Sequence, residues 1–163
     1  MAPAKARRPL FEAAPATTLS RTIGCVLLGA MLAYAGTSHL TFARAEFVAQ
    51  VPRALPFSDD FVVVASGVVE ISLGLALIFL RKRRILLGLA AAAFFFAVFP
   101  GNISQALNHV DAFGLDTDAK RVARLFFQPA LVAWALWSTG AWAWLRNSAP
   151  THPSARGPAP RLT

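Results

Sequence analysis

The residues that could carry chemistry in this 163-residue sequence are polar side chains set within or beside long apolar stretches. Six of them stand out: His39, Ser66, Glu70, Asn102, Arg124 and Gln128. A carboxyl and an imidazole can exchange protons, and amide groups can orient a polar head group by hydrogen bonding. An ionisable side chain at membrane depth costs about 2.5–3.5 kcal/mol, so its presence there indicates a function. The pattern therefore predicts a polar pocket inside an apolar protein.

Four apolar runs are long enough to hold these residues within a membrane. Hydrophobic residues make up 56% of the sequence and charged residues only 15%, against about 25% charged in a typical soluble domain. About 20 helical residues cross the hydrocarbon core of a bilayer, whereas strands are much shorter than these runs. The runs predict membrane-spanning helices at residues 22–42, 61–80, 85–107 and 122–145. We therefore expect an all-α, polytopic membrane domain over residues 21–146, built as a four-transmembrane-helix bundle.

Basic residues are distributed unevenly along the chain, whose formal net charge is +8. The N-terminal segment, residues 81–84 and the C-terminal segment together hold eleven of the 16 Lys and Arg residues. These three segments lie on one side of a four-span protein, and the positive-inside rule makes that side cytoplasmic, with both termini. Residues 81–84 alone could also contact nucleic acid. Their position between two membrane runs is better explained as a topology signal, so we expect the lipid bilayer and no nucleic acid as a partner.

The two ends of the chain differ in composition from the apolar runs. Residues 1–20 and 147–163 are rich in Pro, Ala, Ser or Thr and in basic residues, and they predict disordered tails. Arg7 and Arg8 before the first run are also typical of an export signal. That run is longer than the roughly 7–15 apolar residues of a signal peptide, which favours a retained helix. The single Cys25 excludes a disulfide scaffold and a cysteine-based zinc site, and we expect no metal.

The polar residues of the four runs fall at similar depths in the expected bilayer. If the first run leads outward, His39 lies about 25 Å from the inner edge at about 1.5 Å per residue, and Asn102 in the third run reaches the same height. Ser66 and Glu70 follow within the first turns of the second run, and Gln128 within the first turns of the fourth. A buried carboxyl is costly to ionise without a partner, so we expect Glu70 to be neutral or paired. The common depth predicts a pocket that opens outward.

The same residues also fit alternative roles, between which the sequence does not decide. Asn, Gln, Ser and His often hydrogen-bond across transmembrane helices as packing contacts worth about 0.6–2 kcal/mol. Arg124 could reach the lipid head groups and act as an interfacial anchor. A b-type haem between His39 and His109 would need both rings level on facing helices. A buried Glu70 also fits a proton-coupled transporter of small molecules.

Several short motifs occur in a fixed order along these runs: AGTSHL at 35–40, EF at 46–47, VP at 51–52, LP at 55–56, SGVVEI at 66–71 with Gly74, FPGNI at 99–103 and RLFFQ at 124–128. Over roughly residues 22–145 the sequence thereby resembles the DoxX family of small four-helix bacterial integral membrane proteins. The resemblance implies a bacterial inner-membrane location and a link to quinone-related oxidoreduction and membrane oxidoreductase complexes. The matching positions are His39, Glu70, Asn102 and Gln128. The lack of a second cysteine argues against direct thiol–disulfide chemistry.

The residue pattern and the resemblance together predict a non-catalytic or accessory subunit of a membrane oxidoreductase system, with protein partners in a membrane redox complex. The alternative is a redox subunit that binds a quinone or another small lipophilic molecule through His39 and Glu70, with Asn102 and Gln128 orienting the head group. We do not expect the chain to be an enzyme on its own. If it is one, it would be a quinone-linked oxidoreductase subunit, with quinone as its cofactor.

Overall fold

The computed structural model describes residue 10 and residues 14–148, and this part of the chain is all-α. Most of the two predicted disordered tails therefore lies outside the described residues. The elements are α1 (Leu19–Leu40), α2 (Arg44–Val48), α3 (Asp59–Phe79), a 3₁₀ turn (Arg81–Arg83), α4 (Arg84–Leu107), α5 (Asp118–Thr139) and α6 (Ala141–Ser148). The prediction of an all-α fold is confirmed.

Side-chain caps fix where α1, α3 and α5 begin. Thr18, Ser58 and Thr117 have extended backbone, and each side-chain oxygen accepts from a backbone N–H three residues on. Such a cap satisfies one of the four unpaired N–H groups of the first turn. Asp59, Asp60 and Asp118 follow in the first turns, where carboxylates interact favourably with the helix dipole. The helix of the second apolar run thus begins directly after its cap at Ser58.

Within the described part of the chain, three helices are long and apolar enough to cross a membrane: α1, α3, and α4 with the 3₁₀ turn before it. This indicates a multi-pass membrane protein. Helix α5 is just as long as α1, but Arg124, Gln128 and Pro129 make it less apolar. A fourth membrane span therefore remains a prediction.

The predicted fourth helix, residues 122–145, is wrong at both ends. Helix α5 already begins at Asp118, because Thr117 caps it. It ends at Thr139, because Gly140 adopts a left-handed conformation with φ of 80°, and the short helix α6 starts at Ala141. Glycine adopts this conformation without a steric penalty and commonly ends helices. The apolar composition continues past Gly140, which is why hydropathy alone does not reveal the break.

Helices α1 and α3 pack along each other through two glycine pairs. A Cβ atom placed on Gly36 would lie 2.5 Å from the carbonyl oxygen of Gly67, and one placed on Gly74 would lie 2.5 Å from that of Gly29. Both distances are too short for a real contact, so only glycine permits this approach. The two glycines of each helix are seven residues apart, which places them on one face after two turns. The pairs hold the two helices in antiparallel register.

The second helix pair is α4 with α5, and α5 also packs against α1. The two pairs enclose a core that includes Leu28, Leu32, Leu77, Phe95 and Ala135. Helices α3 and α4 are neighbours in sequence, joined by the turn at Arg81–Arg83, yet they contact each other much less than the members of either pair do. We call the end of the bundle with this turn the turn end and the other end the α2 end. The weak contact leaves space between α3 and α4.

Candidate functional site

A cavity of about 550 Å³ occupies the half of the bundle nearest the α2 end. Its wall is built by α1, α3, α4, α5 and the segment from Phe47 to Leu55. The structure brings all six sequence-predicted site residues into this wall: His39, Ser66, Glu70, Asn102, Arg124 and Gln128. The volume lies within the range of about 300–1,000 Å³ that is typical of small-molecule sites. The polar residues of the four apolar runs therefore meet around one cavity, as their similar depths along the helices predict.

His39 of α1 links two polar groups of α3. Its Nδ1 lies 3.0 Å from Ser66 Oγ, and its Nε2 lies 3.6 Å from Glu70 Oε2. The Ser66 hydroxyl donates to the carbonyl oxygen of Val63, so its oxygen is left to accept from His39 Nδ1–H. This assigns the tautomer of the neutral ring, with the proton on Nδ1 and a lone pair on Nε2.

His39 Nε2 therefore turns its lone pair towards Glu70 Oε2, and the two atoms face each other in the cavity wall. Both residues are more than nine-tenths buried, and at 3.6 Å the contact is longer than a hydrogen bond. Glu70 Oε2 has no hydrogen-bond partner among the described residues. The pair can thus hold a proton and exchange it with a group in the cavity.

A second polar cluster connects α4 to α5 across the cavity. Asn102 Nδ2 donates to Gln128 Oε1 at 2.9 Å, and Gln128 Nε2 donates to the carbonyl oxygen of Phe95 at 2.6 Å. Arg124 Nε donates to Asn102 Oδ1 at 3.2 Å. The amide groups of Asn102 and Gln128 are buried and oriented by these bonds. Asn102 and Gln128 therefore hydrogen-bond α4 to α5, which is the packing role considered for them in the sequence.

Gln50 is a site residue that sequence reasoning missed. It is only 7% exposed, its Oε1 accepts from Arg124 Nη2 at 3.3 Å, and its Nε2 has no partner among the described residues. It lies in the irregular segment after α2, where helical periodicity does not apply. The only signal in the sequence is a lone amide in the mostly apolar stretch 47–52.

The segment containing α2 covers the α2 end of the cavity. The Phe47 ring lies over His39 with 3.4 Å between ring centroids and meets Phe113 edge-on at 4.6 Å. The guanidinium of Arg124 lies 5.0 Å from the centre of the Phe113 ring, which is a favourable cation–π distance. Arg124 thus makes protein contacts inside the wall, which favours a site role over the alternative of an anchor at the lipid head groups.

His109 does not belong to this site. Helix α4 ends at Leu107, and His109 has a positive φ of 52° in the loop that follows. Its exposed ring bonds Asp118 through Nδ1 at 2.8 Å, and it does not line the cavity. The two rings are therefore not level on facing helices, as the haem alternative requires. No cluster of His, Cys, Asp and Glu suited to a metal ion occurs within residues 14–148.

Fold and site together define a class, an all-α protein whose described residues include three candidate membrane spans and a mostly apolar cavity with several polar side chains in its wall. Comparison with known proteins makes this more specific. A family model described as "Domain of unknown function (DUF8561)" matches residues 28–139, so the chain belongs to this family. The matched segment includes the whole wall of the cavity. No curated protein and no solved structure matches the chain. The resemblance to the DoxX family accordingly stays a prediction.

Proposed function

We propose that this protein binds a small lipophilic molecule with a carbonyl-type head group, of the quinone class, in the cavity between α3 and α4. In this proposal the chain has four membrane spans with both termini in the cytoplasm, and it resides in a bacterial inner membrane. It acts as an accessory subunit of a membrane oxidoreductase system rather than as an enzyme on its own.

The observation that carries the proposal is the pair of unpartnered buried atoms in the cavity wall, Glu70 Oε2 and Gln50 Nε2. A buried polar atom without a partner costs about 1–3 kcal/mol. A quinone carbonyl accepts hydrogen bonds, so it can satisfy the Gln50 amide. A protonated Glu70 carboxyl can donate to a second acceptor.

The rest of the wall suits the apolar body of such a molecule. Leu32, Val63, Phe95, Val98 and Leu131 contribute apolar surface, and burying apolar area contributes about 25 cal/mol per Å². A mostly apolar cavity with a few oriented polar groups is the usual form of a cofactor or small-molecule site. A bound quinone would supply two-electron, two-proton chemistry. The residues of this chain would hold its carbonyl groups and exchange protons at Glu70 and His39.

The proposed partners are protein subunits of a membrane redox complex. Support for them comes from the sequence resemblance to the DoxX family. Purification of the chain under native conditions with its lipids, followed by native mass spectrometry, would detect bound quinone and associated subunits in one measurement.

A binding experiment with variants tests the role of the cavity directly. The full chain in phosphatidylcholine nanodiscs is titrated with a short-chain ubiquinone analogue and with a menaquinone analogue. We expect Gln50→Leu and Glu70→Leu, which each remove a hydrogen-bond donor, to weaken binding about tenfold, the effect of one hydrogen bond to a buried group. Ser72→Ala is the matched control, since Ser72 is exposed on α3 and bonds only Val68 of its own helix.

Two results would contradict the proposal. One is the absence of saturable binding of either analogue to the wild-type chain. The other is binding that Gln50→Leu and Glu70→Leu leave at the wild-type level. In either case the hydrogen bonds between the helices of the cavity wall would only hold the helices together, which is the alternative that needs no ligand.

A further inference from the structure

A second, smaller cavity lies at the turn end of the bundle, far from the site described above. Its volume is about 40 Å³. Three arginines line it, and they come from three different elements: Arg21 from the first turn of α1, Arg81 from the 3₁₀ turn and Arg84 from the start of α4. Thr17 and Ser138 add hydroxyl groups to the wall.

No carboxylate balances these three charges within the described residues. The ion pairs among the described residues lie at the other end of the bundle, as for Arg44 with Asp60 and Arg121 with Asp111. Within residues 14–148, Arg84 alone of the three arginines has side-chain hydrogen bonds, which go to the carbonyl oxygens of Thr139 and Pro15. Each guanidinium carries five N–H donors, so this part of the chain leaves most donors of the cluster free to bind an acceptor.

A buried hydroxyl without a partner points into the same place. Ser138 is fully buried, and its Oγ has no hydrogen-bond partner among the described residues. Thr17 Oγ1 is likewise buried and unpartnered in this part of the chain. Native proteins rarely leave buried hydroxyls unpaired. Like charges and unpaired donors that converge on one cavity are the arrangement expected of an anion site.

We propose that Arg21, Arg81 and Arg84, with Ser138, bind a phosphate group in this cavity. One water needs roughly 10–15 Å³ of such space, so about 40 Å³ admits the oxygens of one phosphate and leaves its substituent outside. Guanidinium groups match phosphate oxygens with paired, charge-assisted hydrogen bonds. The phosphate belongs to the head group of an anionic phospholipid or is free in solution. Basic pockets between membrane helices are known to bind lipid head groups.

The test uses the full chain in phosphatidylcholine nanodiscs, with two probes. Phosphatidylglycerol is mixed into the nanodiscs, and its retention on the protein is measured by native mass spectrometry. Inorganic phosphate is titrated at constant ionic strength against chloride, and the unfolding temperature is measured. Arg21→Gln and Arg81→Gln should each weaken binding of the effective probe at least about tenfold, the effect of losing a hydrogen bond to a charged group. Lys82→Gln is the matched control, because Lys82 is an exposed cation in the same turn that does not line the cavity.

Ser138→Ala keeps the proposal testable if an arginine variant folds poorly. Without a phosphate probe this variant should be as stable as the wild type or more stable, because it removes an unpartnered buried hydroxyl. With the probe it should bind several-fold more weakly. Retention of phosphatidylglycerol alone identifies a lipid site, and stabilisation by inorganic phosphate identifies a site for free phosphate. The proposal is overturned if neither probe binds, or if Lys82→Gln weakens binding as much as the arginine variants.

Discussion

His39 and Ser66 form a hydrogen bond whose direction is fixed by a third group. His39 Nδ1 lies 3.0 Å from Ser66 Oγ, and the Ser66 hydroxyl proton is directed to the carbonyl oxygen of Val63. Ser66 thereby orients the imidazole and turns Nε2 towards Glu70. The serine is a positioning residue and is not activated as a nucleophile, because its own proton is donated to the backbone rather than to the histidine.

Replacing Ser66 should test this orientation. In Ser66→Ala the buried Nδ1–H of His39 loses its acceptor, and we expect a loss of about 1–3 kcal/mol in the free energy of unfolding. The measurement is denaturant unfolding of the purified chain in detergent. Ser72→Ala on the exposed face of the same helix should change stability by less than about 0.5 kcal/mol. Equal stability of the two variants would show that the His39–Ser66 bond does not hold the ring.

The glycine pairs between α1 and α3 give a second prediction. Gly36→Ala would place a Cβ atom 2.5 Å from the backbone oxygen of Gly67, and backbone cannot move aside as a flexible side chain can. We expect the helices to be forced apart at a cost of about 1–3 kcal/mol, together with weaker contact between His39 and Glu70. Thermal unfolding in detergent measures the loss.

Gly101→Ala is the control for the glycine experiment. A Cβ atom there meets only the carbonyl oxygen of Gln50 at 3.6 Å, an ordinary contact distance. Alanine is favoured over glycine within a helix by about 0.5–1 kcal/mol, so this variant should be as stable as the wild type or more stable. If Gly36→Ala behaved in the same way, the close packing of α1 on α3 would be wrong.

The break between α5 and α6 gives a third prediction, which separates the structure from the continuous helix expected at residues 122–145. Gly140 has a φ of 80°, and a left-handed conformation costs a residue with a side chain about 1–2 kcal/mol. Gly140→Ala should therefore lower the free energy of unfolding by about that amount. In a continuous helix the same change would stabilise the protein by about 0.5–1 kcal/mol. The sign of the change in denaturant unfolding decides between the two.

The loop between α4 and α5 should loosen in acid. A hydrogen bond from Lys120 holds the pKa of Asp116 below its ordinary value, and a hydrogen bond from His109 does the same for the pKa of Asp118. A carboxyl whose pKa is lowered by folding stabilises the native state at pH values above its ordinary pKa of about 3.9. This stabilisation is lost as the pH falls through the lower pKa of the folded state. Hydrogen exchange of residues 108–118 should accelerate below about pH 4.

The variants Asp116→Asn and Asp118→Asn provide the comparison for the acid experiment. Neither asparagine titrates, so the loop of the double variant should exchange faster at neutral pH and respond less to acid. A wild-type loop whose exchange, corrected for the intrinsic effect of pH, is constant from neutral pH to about pH 3 would contradict the prediction.

Much of the site could be predicted because helix geometry is regular. Depth follows from a fixed rise per residue, and it places His39, Ser66, Glu70, Asn102 and Gln128 at related heights that the structure brings into one wall. The first three apolar runs likewise predict α1, α3 and α4 to within a few residues.

The features that escaped prediction depend on irregular backbone or on long-range contacts. Gln50 enters the cavity wall only because the segment after α2 folds back over the bundle, and no periodicity describes that path. The break at Gly140 depends on one left-handed residue within an apolar stretch. The cluster of Arg21, Arg81 and Arg84 is typical of a topology signal in the sequence, and only the folded structure reveals that the three share a cavity.

The weak contact between α3 and α4 has a mechanical consequence. Each of these helices is held firmly to a partner, α3 to α1 and α4 to α5, while the two are tied to each other mainly by the short turn at Arg81–Arg83. The width of the larger cavity then depends on the angle between two helix pairs more than on the rotamers of its wall. Transmembrane helices adjust to bilayer thickness by tilting, so a change in the thickness of the surrounding membrane would change the width of this cavity.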